Sequence, residues 1–319
     1  MQAYIAKRLL LFIPTVLLVT LMVFTLIRIL PGDPALELLA GEEGENQFTQ
    51  QQLETLQAKL GTDKPIHVQY GKWVWGMLQL NFGTSMFHDG PIADDLIKKA
   101  PITLELTILA LALANMVAIP LGVISALKQD TVGDYVARII TLAGISVPNF
   151  WVAILIIIFL LSWTGWLPPL GYKNLWEDPW TNLQQIFFPA LALGFSNMAF
   201  IARVTRSAML EVLREDYIRT ARAKGLAELI VISRHALKNA LLPVVTASGY
   251  EFGRLLAGTV IIESIFLIPG MGRYLIDAVF QRDYSAIQGI MVVIAVAILT
   301  VNVILDLVYA WLNPRIRYT

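Results

Sequence analysis

Six long apolar stretches constrain this chain more than any other feature. They occupy residues 9–27, 102–127, 135–163, 186–201, 241–262 and 287–312. An α-helix rises about 1.5 Å per residue, so roughly 20 apolar residues cross the ~30 Å hydrocarbon core of a bilayer. The chain is 56% hydrophobic and only 15% charged, and the apolar excess lies in these blocks. The pattern predicts an all-α, polytopic membrane protein with six transmembrane helices.

Two of the stretches allow a second interpretation. Residues 9–27 could be a cleaved signal peptide, but the run is long for one and lacks a small-x-small cleavage site, so we expect a first transmembrane helix. Pro148 interrupts 135–163, and we expect one tilted helix that is kinked at this proline. Splitting the stretch into two spans would put the later basic loops outside, against the positive-inside rule. Lys7 and Arg8 then place the N-terminus, and with six spans both termini, in the cytoplasm.

The polar segments divide the chain into three regions. Residues 1–30 hold the first span, 31–100 form an extracytoplasmic subdomain, and 101–319 form a core of five spans. Within the subdomain the pattern predicts helices over 49–60, after a threonine cap, and over 70–80. The second of these carries Trp73 and Trp75, which suit a membrane surface or a partner protein. A packed spacer that covers the mouth of a pore is the alternative.

The densest charge in the chain lies between the fourth and fifth stretches, over 209–243. An apolar stripe recurs there at three- and four-residue spacing. Its members are Leu210, Leu213, Tyr217, Ile218 and Ala221. Glu215 and Arg219 stand four residues apart in the favourable acid-then-base order, and Gly225 ends the run as a helix C-terminal glycine does. A second amphipathic run follows and ends at Pro243, so we expect two short helices hinged at Gly225 on a membrane face.

This segment resembles the cytoplasmic EAA loop of ABC importer permeases, in the version of the dipeptide, oligopeptide, nickel and glutathione branch. The resemblance lies in DYIRTARAKG at 216–225 and RHALKNALLP at 234–243. ESIFLIPGMG at 263–272, RDY at 282–284, NPRIR at 313–317 and RILPGDP at 28–34 extend it over nearly the whole chain. It implies the type I ABC importer permease fold, in the cell membrane. It also implies a second homologous permease subunit, two ABC ATPase subunits and an extracytoplasmic substrate-binding protein as partners.

The same resemblance implies a site that couples the chain to its ATPases. Its residues are Asp216, Arg219, Thr220, Ala221, Arg222, Lys224, Gly225 and Glu228. We expect the apolar stripe to seat in a groove of the partner, with close packing at Ala221 and Gly225. The charged residues then set register, or they serve only to hold the loop inside.

Motifs for catalysis are missing from the sequence. It has no Gly-x-x-x-x-Gly-Lys-Ser/Thr, no Gly-x-Ser-x-Gly, no His-Glu-x-x-His and no cysteine. We therefore expect no enzyme activity, no metal site and no cofactor in this chain, with ATP and Mg²⁺ used by the partner ATPases. Net charge is zero, which gives no sign of nucleic acid. Asp130 and Asp134 are interpreted as solvated charges and helix caps.

Polar residues inside the apolar stretches are candidates for the translocation pathway: Ser146, Asn149, Asn197, Ser248 and Glu251. Helix-packing hydrogen bonds are the alternative for most of them. Glu251 and Arg254 stand three apart, and a local ion pair is favoured over a substrate contact. Trp73, Trp75 and Glu263 are candidate contacts for the binding protein.

The leading functional hypothesis is half of the pathway of an ATP-driven, binding-protein-dependent importer of di- or oligopeptides. Nickel, or glutathione, is the alternative substrate within the branch. A self-sufficient ion-coupled transporter is the alternative from another class, and it needs intramembrane acids, for which Glu251 and Asp306 are the candidates. A membrane-embedded enzyme is the remaining one.

Overall fold

The structure is a computed structural model that describes residues 2–29, 35–36, 39, 49–85 and 90–312. Residues 30–34 of the RILPGDP motif and the whole NPRIR motif at 313–317 lie outside the described residues. Eleven helices make up most of the described residues. They are α1 Gln2–Ile29, α2 Gln50–Leu60, α3 Ile66–Leu78, α4 Ile92–Leu127, α5 Val132–Ser146, α6 Asn149–Thr164, α7 Pro179–Val212, α8 Asp216–Ala223, α9 Glu228–Phe266, α10 Met271–Phe280 and α11 Tyr284–Leu312.

Five of these helices, α1, α4, α7, α9 and α11, are long and apolar enough to cross a membrane. The pair α5 and α6 passes the same test only when the two are taken together, which makes a sixth. The prediction of an all-helical, polytopic membrane protein is confirmed.

The single kinked helix predicted over 135–163 is wrong. The axes of α5 and α6 meet at 102°, so this is a break rather than a kink. Val147 and Pro148 both have extended backbone, with ψ of 124° and 138°. A residue that precedes proline is pushed out of the helical region by the proline ring, and here two consecutive residues leave it.

Two spans are longer than their apolar cores suggested. Helix α4 begins at Ile92, with Asp94 and Asp95 in its first turn, where carboxylates interact favourably with the helix dipole. Helix α7 begins at Pro179, and the Asp178 side chain caps it by accepting a hydrogen bond from the Thr181 N–H at 3.1 Å. Acidic residues in the first turn of α4 and the Asp178 cap of α7 therefore favour helix in polar sequence that the hydropathy pattern alone assigns to loops.

The second short helix predicted to end at Pro243 is also wrong. Helix α9 runs through Pro243 and continues to Phe266, with a π-helical turn over Val231–Leu237 near its start. A proline removes one backbone hydrogen bond, but its neighbours Ala240 and Val244 are fully buried, and their packing holds the helix together.

The chain forms two compact units, each with its own core. One contains residues 1–5, 101–273 and 300–319, in which α7 packs against α5, α6 and α9. Leu106, Ile186, Leu193, Leu255 and Ile262 are among its buried residues.

The other unit contains residues 6–100 and 274–299. The predicted threonine cap is confirmed there, since Thr49 and Gln52 form a reciprocal capping box at the start of α2. Helix α3 begins four residues before the predicted start, and its Tyr70 and Trp73 rings lie 5.4 and 5.6 Å from the Phe24 ring.

Candidate functional site: the coupling helix and the polar residues behind it

The apolar side of α8 faces its own chain. Ile218 has no exposed surface and Ala221 is 7% exposed. Both belong to one buried cluster with residues of α4, α7 and α9. The other members are Ala126, Ala208, Met209, Val231, Ala236 and Ala240. The expectation that this stripe seats in a partner's groove is therefore corrected: Leu210 lies on α7, and the stripe anchors α8 to the permease itself.

The opposite side of α8 is polar and exposed. Side chains of Asp216 and Arg219 are 96% and 75% exposed. Arg219 pairs with Asp216 at 3.6 Å rather than with Glu215, which is the N-cap residue and lies outside the helix. Exposed apolar side chains stand beside this face. They are Tyr217, Leu226, Leu229 and Ile230.

Gly225 forms the turn that ends α8. Its φ is +77°, a left-handed conformation that glycine adopts without steric cost. The Gly225 and Leu226 amides donate to the Arg222 and Ala221 carbonyls at 2.9 and 3.4 Å, which is a Schellman motif. Within this chain a Cβ at Gly225 would meet nothing within 4 Å, so backbone conformation accounts for the glycine here, and its close packing against a partner stays a prediction.

Two side-chain contacts fix α8 against α9 across that turn. The Arg222 guanidinium donates two hydrogen bonds to the Glu228 carboxylate, at 2.7 and 3.2 Å, and Glu228 raises the pKa of Arg222 above its ordinary value. The Asn239 amide donates to the Tyr217 hydroxyl at 2.8 Å. Arg222 and Glu228 are thus turned toward each other, while Thr220 and Lys224 stay exposed.

Asp134 forms a buried charge cluster that the sequence interpretation missed. Its carboxylate is 0% exposed and accepts two hydrogen bonds from Arg206 of α7, both at 2.8 Å, and others from Arg138 and Ser125. Asp134 is therefore an interior anchor between α4, α5 and α7, not a solvated charge. The spacing of four residues between Asp134 and Arg138 could have predicted their ion pair from the sequence, whereas Arg206 lies 72 residues away and could not have been found in this way.

The candidate pathway residues do not converge on one point. Ser146 donates to the Leu142 carbonyl of its own helix, and Ser248 donates to the Asn115 amide oxygen at 2.7 Å. Asn149 donates to the Leu193 carbonyl at 3.1 Å. Asn197 is 4% exposed. These contacts match the helix-packing alternative.

Glu251 is the only acid among these five candidates, and it shares with Asn149 Oδ1 a buried oxygen that has no hydrogen-bond partner among the described residues. Arg254 donates to its Oε1 at 3.0 Å, as expected from their spacing. Its Oε2 is buried and has no hydrogen-bond partner among the described residues. An uncompensated carboxylate oxygen is costly inside a membrane protein, which keeps Glu251 as a pathway candidate.

At the far end of α9, Glu263 is enclosed rather than exposed. Its carboxylate is 0% exposed and accepts hydrogen bonds from the Thr103 hydroxyl at 2.7 Å and the Arg273 amide at 2.9 Å. Gly270 leaves room for it, since a Cβ there would lie 2.5 Å from the carboxylate oxygens, and a Cβ on Gly272 would collide with the Val260 backbone and lie 3.0 Å from Oε2. A side chain with no exposed surface cannot contact a receptor, so this expectation is corrected. Trp75 is 63% exposed, whereas Trp73 is half-buried.

Two family models together match most of the chain. Residues 118–318 match the model described as "Binding-protein-dependent transport system inner membrane component". Residues 1–107 match the N-terminal model of the same kind of component. The first match includes the whole of the α8 region described above.

Full-length relatives are found among bacterial peptide permeases. The chain is 41% identical to the di/tripeptide transport system permease protein DppB of Pseudomonas aeruginosa and 39% identical to the dipeptide permease DppB of Escherichia coli K12. It is 38% identical to DppB of Alkalihalophilus pseudofirmus. Each match covers 100% of this chain and 99% or 100% of the relative.

Solved structures share the fold over about two thirds of the chain. The MetNI methionine ABC transporter in inward-facing conformations matches with a TM-score of 0.55 and 17% identity, covering 68% of this chain and 96% of that one. An amino acid ABC transporter crystallised with histidines matches with a TM-score of 0.51 and 20% identity, over 68% and 94%.

Proposed function

This chain belongs to the family of binding-protein-dependent transport system inner membrane components, and we propose that it forms half of the pathway of an ATP-driven importer of di- or oligopeptides. It is a multi-pass membrane permease component and not itself the ATPase. Peptide as substrate is supported by the printed names of relatives at 38–41% identity over the full length.

The family name implies a substrate-binding protein and an ATPase as partners. We propose the composition in detail: a second, homologous permease subunit, two ATPase subunits and one binding protein on the outer side. Trp75 supports a contact with the binding protein, because it is a large exposed aromatic in the outer subdomain.

We propose that both termini and α8 lie in the cytoplasm. Support comes from the basic residues at the proposed inner surface. They include Lys7, Arg8, Arg203, Arg206, Arg214 and Arg219. In this orientation the 263–272 segment and the outer subdomain face away from the cytoplasm.

The observation that carries the mechanism is that one side of α8 is buried against the permease and the other side is exposed. Ile218 and Ala221 anchor it to three helices of the permease, and its other side is left exposed. A partner that grips the exposed side therefore moves α4, α7 and α9 with it. The contact surface is Asp216, Tyr217, Arg219 and Thr220 of α8 with Leu226 and Leu229 beyond the turn, a polar rim around apolar anchors.

The test is retention of the ATPase subunits by variants of that surface. Leu229→Asp places a charge on a side chain that is 77% exposed, so the permease still folds while the apolar contact is lost. Affinity purification through the permease should recover much less ATPase with Leu229→Asp. The matched control is Leu170→Asp, at a leucine that is even more exposed, at 94%, but lies on the loop between α6 and α7.

Equal recovery of ATPase with both variants would refute the docking surface. Substrate is tested separately, on the complete transporter in vesicles, by adding binding protein loaded with a dipeptide or with nickel. Peptide should stimulate ATP hydrolysis and nickel should not; the reverse result would assign the alternative substrate. Transport by this chain alone, driven by an ion gradient, would overturn the assignment to an ATP-driven importer.

A further inference from the structure

A cavity of about 260 Å³ opens between α4, α5 and α7 near the end that leads to the coupling helix. Its walls are apolar except for a basic rim. The lining includes Leu121, Ile140, Leu142, Arg138, Arg203 and Arg206. Gly122 forms part of the wall because α4 and α7 touch there: a Cβ on Gly122 would lie 2.6 Å from the Ala202 carbonyl oxygen. The cavity therefore combines a hydrocarbon-like interior with cationic groups at one edge.

The rim has a surplus of positive charge. Three arginines line the cavity, and two carboxylates, Asp130 and Asp134, pair with them, so three positive and two negative charges leave a net charge of +1. Arg203 is the surplus cation: it is exposed and has no hydrogen bond or ion pair among the described residues. The Nη2 of Arg138 donates hydrogen bonds to Asp130 and Asp134, while its Nε is buried with no acceptor in the described part of the chain.

The position of the cavity matches the depth of a lipid headgroup. Helix α4 ends at Leu127 and α5 begins at Val132, so Ser125 and Arg138 lie within two turns of the connecting segment. The outer side of α5 is strongly apolar, with Ile139 66% and Leu142 59% exposed. In the orientation proposed above, the arginines stand at the cytoplasmic surface and the apolar walls extend into the hydrocarbon.

We propose that this cavity binds an anionic phospholipid of the inner leaflet. The phosphate accepts hydrogen bonds from Arg203 and from the exposed part of the Arg138 guanidinium, whose side chain is 37% exposed, and an acyl chain lies along Leu121, Ile140 and Leu142. Basic pockets between transmembrane helices on the cytoplasmic side have this ligand chemistry. A bound lipid fixes α5 against α7, which ends at Val212, with three residues between it and the start of α8 at Asp216. Anionic lipid then stabilises the segment that holds the coupling helix. The inference rests on the proposed orientation.

The test uses the complete transporter, reconstituted in lipid discs that contain both phosphatidylglycerol and phosphatidylcholine. Native mass spectrometry then counts the lipids that remain after the disc is removed. Wild type should retain phosphatidylglycerol in preference to phosphatidylcholine, and Arg203→Ala should lower that preference about fivefold to tenfold. Arg203 has no partner to lose among the described residues, so we expect folding to be unaffected. Arg214→Ala is the matched control, because Arg214 is an exposed arginine of the same side that does not line the cavity.

A second measurement identifies the occupant directly. The chain contains no cysteine, so Thr141→Cys provides one labelling site in the cavity lining. A photoreactive group at this position should cross-link to phosphatidylglycerol. Cross-linking to the second permease subunit, or equal retention of both lipids that Arg203→Ala leaves unchanged, would overturn the proposal. Lipid retention is read independently of transport, so loss of peptide-stimulated ATP hydrolysis contradicts the proposed function and not the lipid site.

Discussion

Replacing Asp134 by asparagine should destabilise the permease far more than the same replacement at its exposed neighbour Asp130. The carboxylate has no exposed surface and accepts from two arginines, the Ser125 hydroxyl and the Asp130 amide. Asparagine keeps one oxygen and turns an NH₂ group toward donors, so at least one guanidinium loses its acceptor. Breaking a buried ion pair from one side costs about 3–5 kcal/mol.

The expected cost here lies below that range, because both arginines reach water. The Arg206 side chain is 20% exposed and that of Arg138 is 37% exposed. Each can recover part of its solvation when the carboxylate is removed, which reduces the expected loss of stability to about 2 kcal/mol. At 1.4 kcal/mol per factor of ten, the ratio of folded to unfolded protein falls roughly thirtyfold.

Asp130→Asn is the control for this prediction. Asp130 pairs with the same Arg138, at 3.2 Å, but its side chain is 65% exposed, and an exposed pair adds little to stability. Its φ is +60°, a conformation that asparagine tolerates as well as aspartate does. Thermal unfolding of the solubilised transporter should therefore show a clear drop for Asp134→Asn and nearly none for Asp130→Asn. Equal shifts, or a large shift that high salt abolishes, would refute the argument from burial.

Three further substitutions follow from the described geometry. Gly225→Val forces a β-branched residue to φ +77°, at about 1–2 kcal/mol, and should raise the ATP hydrolysed per peptide transported; an unchanged ratio contradicts this. Glu263→Gln replaces one of two acceptor oxygens by an NH₂ group, which then faces either the Arg273 amide or the Thr103 hydroxyl, both donors to the carboxylate; the loss of one buried acceptor, about 1–3 kcal/mol, should lower the thermal midpoint of the purified transporter. Gly249→Val drives a side chain into Leu305 and should destabilise by about 1–3 kcal/mol in the same assay, whereas Gly71→Val, with nothing within 4 Å of its Cβ, avoids any such collision.

Features set by neighbouring residues were predictable from the sequence. The apolar stretches predicted the spanning helices, and the threonine cap at Thr49 predicted the start of α2, because capping depends on residues close together in the chain. The left-handed turn at Gly225 was predicted for the same reason.

Features set by distant residues were not. Pro148 signalled a disturbance, but the 102° bend also depends on what the chain meets beyond it, including the Leu193 carbonyl that Asn149 reaches. The sequence placed Glu263 in a loop. It is enclosed because Thr103, 160 residues away, donates a hydrogen bond to it and Gly270 leaves space for its carboxylate. The apolar stripe of α8 was correctly identified as apolar, yet periodicity cannot say whether such a face binds a partner or the chain itself.

Helix α9 has a mechanical consequence. It runs for 39 residues without a loop, from Glu228 beside the coupling turn to Phe266 beside the enclosed Glu263, a length of about 58 Å at 1.5 Å per residue. A motion imposed at the α8 end of this helix is therefore transmitted to its other end, because both ends belong to one continuous helix. The π-helical turn at Val231–Leu237 departs from the regular α-helical hydrogen-bond pattern, as such turns often do at functional sites, so we expect twist to be absorbed there first. In the orientation proposed above, we expect motion that an ATPase imposes on α8 to reach the outer side of the membrane through this one helix.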